Sequence, residues 1–176
     1  MKYKLLKLRK TLITKSTGVF EMLQEIPAVD NFGQTNQFFG LNKLETINLI
    51  NHLADYAKGI NTNEDNPKCE HFVLFDENKP VALGALMLEM TEFWQKHRGH
   101  IWFKTRPSER NKGYATILLE LLCKKAEKYG IKEITGQANI ENHASNRVFE
   151  KNNFVQYINP LCPDWDDTIF WKKTLI

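Results

Sequence analysis

The stretch that most constrains this chain runs from Ile101 to Gly130. It opens on Ile101-Trp102-Phe103, a short apolar run with the β-branched and aromatic character of a strand. It closes on a segment in which Ala115, Leu118, Leu122, Ala126 and Tyr129 form one stripe at helical spacing. Glu120, Lys124, Glu127 and Lys128 take the opposite, polar side, and Gly130 supplies a C-terminal stop. Between strand and helix lies a short basic turn, Thr105 to Thr116. A strand that feeds a helix through such a turn leaves the first N–H groups of the helix unpaired and pointing outward. Those donors, with the positive end of the helix dipole, form a site for a phosphate or pyrophosphate. Gly113 lets the backbone approach an anion closely, Ala115 keeps the next position small, and Arg110 and Lys112 add charge. The expected anion cradle is Arg110, Asn111, Lys112, Gly113, Tyr114, Ala115 and Thr116.

The spacing Arg110-x-x-Gly113-x-Ala115 resembles the pattern by which the GCN5-related N-acetyltransferase (GNAT) superfamily holds the pyrophosphate of acetyl-CoA. The fuller string, Arg106-Pro107-Ser108-Glu109-Arg110-Asn111-Lys112-Gly113-Tyr114-Ala115-Thr116, is similar to that of small bacterial acetyltransferases of this superfamily. A second motif downstream, Asn142-x-x-Ser145, strengthens the likeness, which is clear from about Phe72 to Phe154. The resemblance implies an α/β fold: one three-layer α/β/α domain whose mixed, mostly antiparallel sheet splays between strands 4 and 5. It implies an acyltransferase that takes acetyl-CoA as cosubstrate, uses no metal, and moves the acetyl group to an amine within a ternary complex. A catalytically weak CoA-binding regulatory domain stays open as the alternative. So does a nucleotide-phosphate module, although no G-x-x-x-x-G-K-[ST] or G-x-G-x-x-G supports it.

At 176 residues the chain suits a single domain with one core. Residues 1–70 are expected to form the acceptor side, 71–154 the acetyl-CoA-binding core, and 155–176 a C-terminal strand pair. A net charge of +3 is too small to argue for nucleic acid. No run approaches the roughly 18 apolar residues of a membrane span, and the basic N-terminus lacks the apolar stretch of a signal peptide. Cys69, Cys123 and Cys162 are odd in number and widely spaced, which suits free thiols in a reducing cytoplasm. Oligomeric state stays open between monomer and homodimer.

Along the chain, residues 2–9 read as a first strand near a sheet edge. Thr14 to about Ile26 reads as one helix with Ser16 and Thr17 as caps. Residues 27–40 have no clear period, and Phe32, Phe38 and Phe39 there either line a pocket or fill core. Leu44, Ile47, Leu49, Ile50 and Leu53 give a helix that ends by Gly59, and 61–67 is a polar loop. Phe72–Phe75 and Val81–Leu88 pair through a turn at Asp76–Pro80, and 89–98 forms a loop or short helical turn. A fourth strand covers 100–105. Residues 131–138 form a strand, 142–152 a short helix capped by Asn142, and 154–158 pairs with 168–175. Asn153 stands where related sequences carry glycine, and Asn tolerates the left-handed turn required there.

The same resemblance assigns roles near the reacting atoms. Backbone N–H groups of Phe103, Lys104 and Thr105 would hold the pantetheine arm and stabilise the tetrahedral oxyanion. Asn142 and Ser145 match the pair that contacts that arm. Many relatives place a tyrosine at the position of Phe149, where it protonates the departing thiolate; phenylalanine cannot. A thiol of pKa near 8.5 leaves as thiolate at a cost of roughly 2 kcal/mol, whereas freeing an amine of pKa near 10.4 costs roughly 4–5 kcal/mol at neutral pH. A proton acceptor therefore matters more than a donor. His100, near the start of the fourth strand, is the expected base. Glu70, His71 and Glu89 are weaker candidates, and Asp164, Asp166 and Asp167 could attract a cationic acceptor.

Overall fold

The computed structural model describes residues 2–33 and 36–175. Their elements run β1 (Tyr3–Lys7), α1 (Lys10–Thr14), α2 (Val19–Glu25), α3 (Lys43–Tyr56), β2 (Cys69–Asp76), β3 (Lys79–Met87), α4 (Glu92–His97) and β4 (Ile101–Thr105). After a 3-10 turn at Pro107–Glu109 come α5 (Tyr114–Lys128), β5 (Glu133–Asn139), α6 (His143–Lys151), β6 (Val155–Tyr157) and β7 (Thr168–Thr174). The sequence pattern of β2 and β3 explains their central position. Both are apolar on alternate residues of both faces and buried almost throughout, so helices must cover the sheet on either side. Phe72, Leu74, Ala82 and Leu86 pack under α5, while Val73, Phe75 and Leu83 pack under α1 to α3. Three layers result.

The strands form two antiparallel sheets, ordered β1-β2-β3-β4 and β5-β7-β6. Among the described residues no ladder joins β4 to β5. They touch at one end only, where the His100 N–H donates to the Thr135 carbonyl at 2.8 Å. Gly99 permits that approach. It sits at φ +82°, and a Cβ there would lie 2.9 Å from the backbone of Thr135 and Gly136. Beyond this vertex no ladder holds the strands together, in line with the splay that the family resemblance implies. Gly99→Ala combines a left-handed strain with a backbone clash, and we expect it to cost about 3 kcal/mol in chemical denaturation.

Several local expectations change. The helix read over 14–26 is two helices, because Ser16 and Gly18 adopt positive φ of 49° and 80° between them. Thr17 donates its hydroxyl to the Leu12 carbonyl instead of capping α2, and Gly18 is the N-cap. Residues 92–97 form α4, capped by Thr91. Tyr129 leaves the buried stripe of α5: its ring is exposed and its hydroxyl donates to Glu70, which also binds Lys7. Asn153 takes φ +59°, the left-handed turn its type allows. α3 begins in a reciprocal capping box, with the Glu45 N–H on the Asn42 side chain and the Asn42 N–H on the Glu45 side chain.

Candidate active site

The site grows from the geometry of β4. Side chains alternate across a strand, so Trp102 and Lys104 face the α1–α3 layer while Ile101 and Phe103 face α5 and α6. Backbone groups alternate too. The His100 carbonyl accepts from Met87 and the Arg106 N–H donates to Val81, both on β3. The intervening residues in phase with them, Trp102 and Lys104, thus bond to β3, and the backbone groups of Phe103 and Thr105 are left facing the gap. The three expected backbone donors are therefore sorted: Phe103 and Thr105 are open, and Lys104 contributes its side chain.

The anion turn follows directly. Gly113 is the N-cap of α5 at φ +81°, with no side-chain cap. Among the described residues no acceptor engages the amides of Asn111 to Thr116. A Cβ at Gly113 would meet nothing within 4 Å, so this side of the turn is open. Arg110 lines the adjoining cavity, whereas the Lys112 ammonium turns away to Glu109 at 2.9 Å, where Lys79 also binds. Lys112 brings a backbone amide to the turn and little free charge. The Tyr114 hydroxyl donates to Asp76 at 2.7 Å, and this bond, with burial, pushes its pKa up to about 12. It anchors α5 to the end of β2.

One anchor had no signal in the sequence. Glu25, at the end of α2, accepts from the Arg106 guanidinium and from the Ser108 N–H at 2.6 Å, so it pins the front of the anion turn from 83 residues away. Burial alone would raise its pKa. The Ser108 and Arg106 hydrogen bonds and the Arg106 charge together outweigh burial and bring it down to about 2. A lowered acid pKa means that stability is present above the ordinary value near 4.5 and is lost as pH falls toward 2. Glu25→Gln should destabilise the fold by about 2 kcal/mol at pH 7. The gap between wild type and variant in urea melts should close as pH falls from 4.5 toward 2.

Two cavities meet at this strand. The larger, about 970 Å³, runs from Arg110–Thr116 past Asn142 and Ser145 on α6 and under Val29 to Phe32. The smaller, about 550 Å³, lies under α3 and α4 against Trp102. Phe103, Lys104 and Ser145 line both. Asn142 caps α6 by accepting the Ser145 N–H at 3.1 Å, which sets the Ser145 side chain at the junction. Phe149 forms part of the smaller cavity's floor, stacked on Trp171 at 5.7 Å and packed against Phe103 and Phe154. The described residues of 27–40 reach both cavities: Phe32 lines the larger and buried Phe38 the smaller, whereas Phe39 is exposed and lines neither. Asn36 ties that segment down by donating to the Leu23 and Ile26 carbonyls.

The proton-bearing candidates separate. The His100 Nδ1 accepts the Thr135 N–H at 3.2 Å and lies 2.9 Å from the Thr135 hydroxyl, so its ring helps close the vertex. It lines neither cavity, and burial lowers its pKa to about 4. Glu70 is taken up by Lys7 and Tyr129, and Glu89 lies 3.7 Å from Lys68. Asp164, Asp166 and Asp167 are exposed and line neither cavity. His71 alone among these candidates lines the smaller cavity, edge-on to Trp102 at 5.5 Å, and burial lowers its pKa to about 4. Burial raises the neighbouring Cys69 thiol to about 12, and that of Cys123 to about 11, so neither is a ready nucleophile. Among the described residues no cluster of ligands suits a metal ion, and no helix is long and apolar enough to cross a membrane.

Comparison with known proteins fits this geometry. Residues 40–154 match the model of the acetyltransferase (GNAT) family. No curated protein sequence matches the chain. Among solved structures, a ribosomal L7/L12 alpha-N-protein acetyltransferase in complex with coenzyme A superposes with a TM-score of 0.65 at 14% identity, covering 99% of this chain and 95% of that one. A ribosomal-protein-S5-alanine acetyltransferase from Vibrio fischeri gives 0.65 at 17% identity, covering 99% and 93%. A dodecameric spermidine N-acetyltransferase from Vibrio cholerae gives 0.61 at 15% identity, covering 98% and 94%. At such identities the superpositions speak for the fold alone. The family match extends over more than half of the sequence and includes both the open strand and the anion turn, and by it this chain belongs to the acetyltransferase (GNAT) family.

Proposed function

We propose that the protein moves the acetyl group of acetyl-CoA to a primary amine by direct attack in a ternary complex. The observation that carries this reading is the junction at Phe103, Lys104 and Ser145, where a cavity ending in open amides meets a second one of small-molecule size. Acetyl-CoA supplies the reactive thioester. The amides of Asn111 to Thr116, with Arg110, suit its diphosphate, and Asn142 and Ser145 lie along the same cavity. The N–H groups of Phe103 and Thr105 suit the pantetheine arm and the negative charge that develops on the thioester oxygen.

The acceptor enters from the Trp102 side. As its nitrogen bonds to the thioester carbon, the C–S bond breaks and the nitrogen gives up a proton. His71 faces that cavity in its neutral form and accepts this proton, directly or through water. The departing sulfur leaves as thiolate, with the Ser145 hydroxyl at the junction as a hydrogen-bond donor in place of the phenol that Phe149 lacks. His100 contributes by holding β4 and β5 together at the vertex. α3 and residues 36–38 wall the acceptor together with α4 and β4, Val29 to Phe32 join α5 and α6 around the cosubstrate, and the β6–β7 pair completes the second sheet. Three buried free cysteines support a reducing, cytoplasmic setting. Nucleic acid and membrane play no part, and the working unit is a monomer or homodimer.

Incubation with acetyl-CoA and a panel of amines tests the reading. Acceptor-dependent release of CoA is the expected result. Tight CoA binding with no turnover across the panel would favour a regulatory CoA-binding domain, for which the missing phenol at Phe149 is the motivating feature.

A further inference from the structure

The smaller cavity is chemically lopsided. Its walls mix aromatic and apolar side chains, Phe38, Tyr56, Met87, Phe93, Trp94 and Trp102 among them, with uncharged polar ones such as Asn36, Gln37 and Gln137. Its cations are Arg98, exposed, and Lys104, half-buried at the junction. Among the described lining residues the sole acidic side chain is Asp65, which is exposed. A polyamine entering here would bring several positive charges toward Lys104 and meet no buried carboxylate. His71 offers a neutral ring and no compensating charge.

The placement of Lys104 narrows the choice further. Its side chain leaves β4 on the acceptor face, one residue from the gap-facing backbone of Phe103 on one side and of Thr105 on the other. One strand residue spans roughly 3.3 Å, so Lys104 springs from the short stretch of β4 that faces the gap, and it lines the junction of the two cavities. An anion held there belongs to the same small unit as the attacking nitrogen. We propose that the acceptor is an amino acid with an aromatic or apolar side chain, its carboxylate paired with Lys104, its α-amine turned to the gap, and its side chain against Trp102 and Trp94. This rests on the acetyltransferase reading and names the substrate class for it. Burial lowers the Lys104 pKa, and the Asp30 carboxylate on the cosubstrate side only partly opposes that effect. A paired carboxylate restores the favourable setting for the ammonium, and the Lys104 charge in turn discourages protonation of the attacking amine.

The test uses the full chain and three acceptors, phenylalanine, tryptophan and methionine, each as the acid, the primary amide and the decarboxylated amine, with spermidine alongside. The expected result is a preference in kcat/KM for at least one acid over its own amide on the order of ten- to hundredfold, expressed mainly in KM. Lys104→Met should erase that preference, and Lys104→Arg should keep most of it. Calorimetric titration of the acids and amides into the CoA-bound protein gives the same comparison without turnover. Amides as good as acids would overturn the proposal and point to a peptide N-terminus. Spermidine as the best acceptor would overturn it in favour of a polyamine. Failure to bind acetyl-CoA would instead sink the acetyltransferase reading beneath it, and the same titrations separate the two failures.

Discussion

Gly113→Val should weaken acetyl-CoA binding roughly 100-fold or more, close to 3 kcal/mol, while the protein stays folded. Two separate effects act at this position. A β-branched residue resists φ +81°, at a cost of about 1–3 kcal/mol, and relief of that strain moves the amides of the turn. The branched side chain also projects into the open space beside those amides, where no atom beyond the adjoining residues lies within 4 Å of the Cβ position. The protein loses no internal contact, so the circular dichroism spectrum should be retained and the thermal midpoint should fall only modestly. Titration calorimetry with CoA reads the affinity. Unchanged affinity in a folded variant would remove the diphosphate from this turn.

His71→Gln should lower kcat/KM on the order of 100-fold, the span usual for loss of a positioned proton acceptor. The pH profile is the more discriminating readout. His71, with a pKa brought down to about 4 by burial, is already neutral across the working range. The wild-type rate should therefore climb with pH until the acceptor amine is itself deprotonated, without a break near the ordinary histidine value of about 6.5. The sign follows from the shift: a lowered histidine pKa keeps the acceptor form present above about 4 and removes it only below. His100→Ala makes the contrast. By loosening the contact with Thr135 it should reduce stability by about 1–2 kcal/mol and leave the shape of the pH profile unchanged. An inflection near 6.5 that disappears in His100→Ala would return the base to His100.

What the sequence made legible was whatever local chemistry dictates. The strand–turn–helix at 101–130, the cap at Asn142, the left-handed Asn153 and the pairing of the last two strands all depend on neighbours in the chain. The break between α1 and α2 was missed because exposed Ser16 adopts a positive φ that its residue type rarely takes, its N–H turned back to the Ile13 carbonyl. Glu25 was missed for a different reason. Its partners Arg106 and Ser108 lie more than 80 residues away, and no periodicity marks an acid as the anchor of a distant loop. The choice between His100 and His71 was equally invisible. His71 lies within β2 and His100 just before β4, and only the register of β2, β3 and β4 puts His71 beside Ala85 and Trp102 on the acceptor face. The described residues of 27–40 looked shapeless because distant contacts fix them rather than any repeat of their own: Asn36 donates to the Leu23 carbonyl, and Gln24 of α2 bonds Phe38 and Gly40.

A crystal structure of the protein with bound CoA tests the central claim most directly. The account predicts the diphosphate within hydrogen-bonding distance of the amides between Asn111 and Thr116, with the pantetheine arm in the gap beside Phe103 and Thr105 and the sulfur near Ser145. A diphosphate bound anywhere else, or an arm that bypasses the opening between β4 and β5, would contradict it.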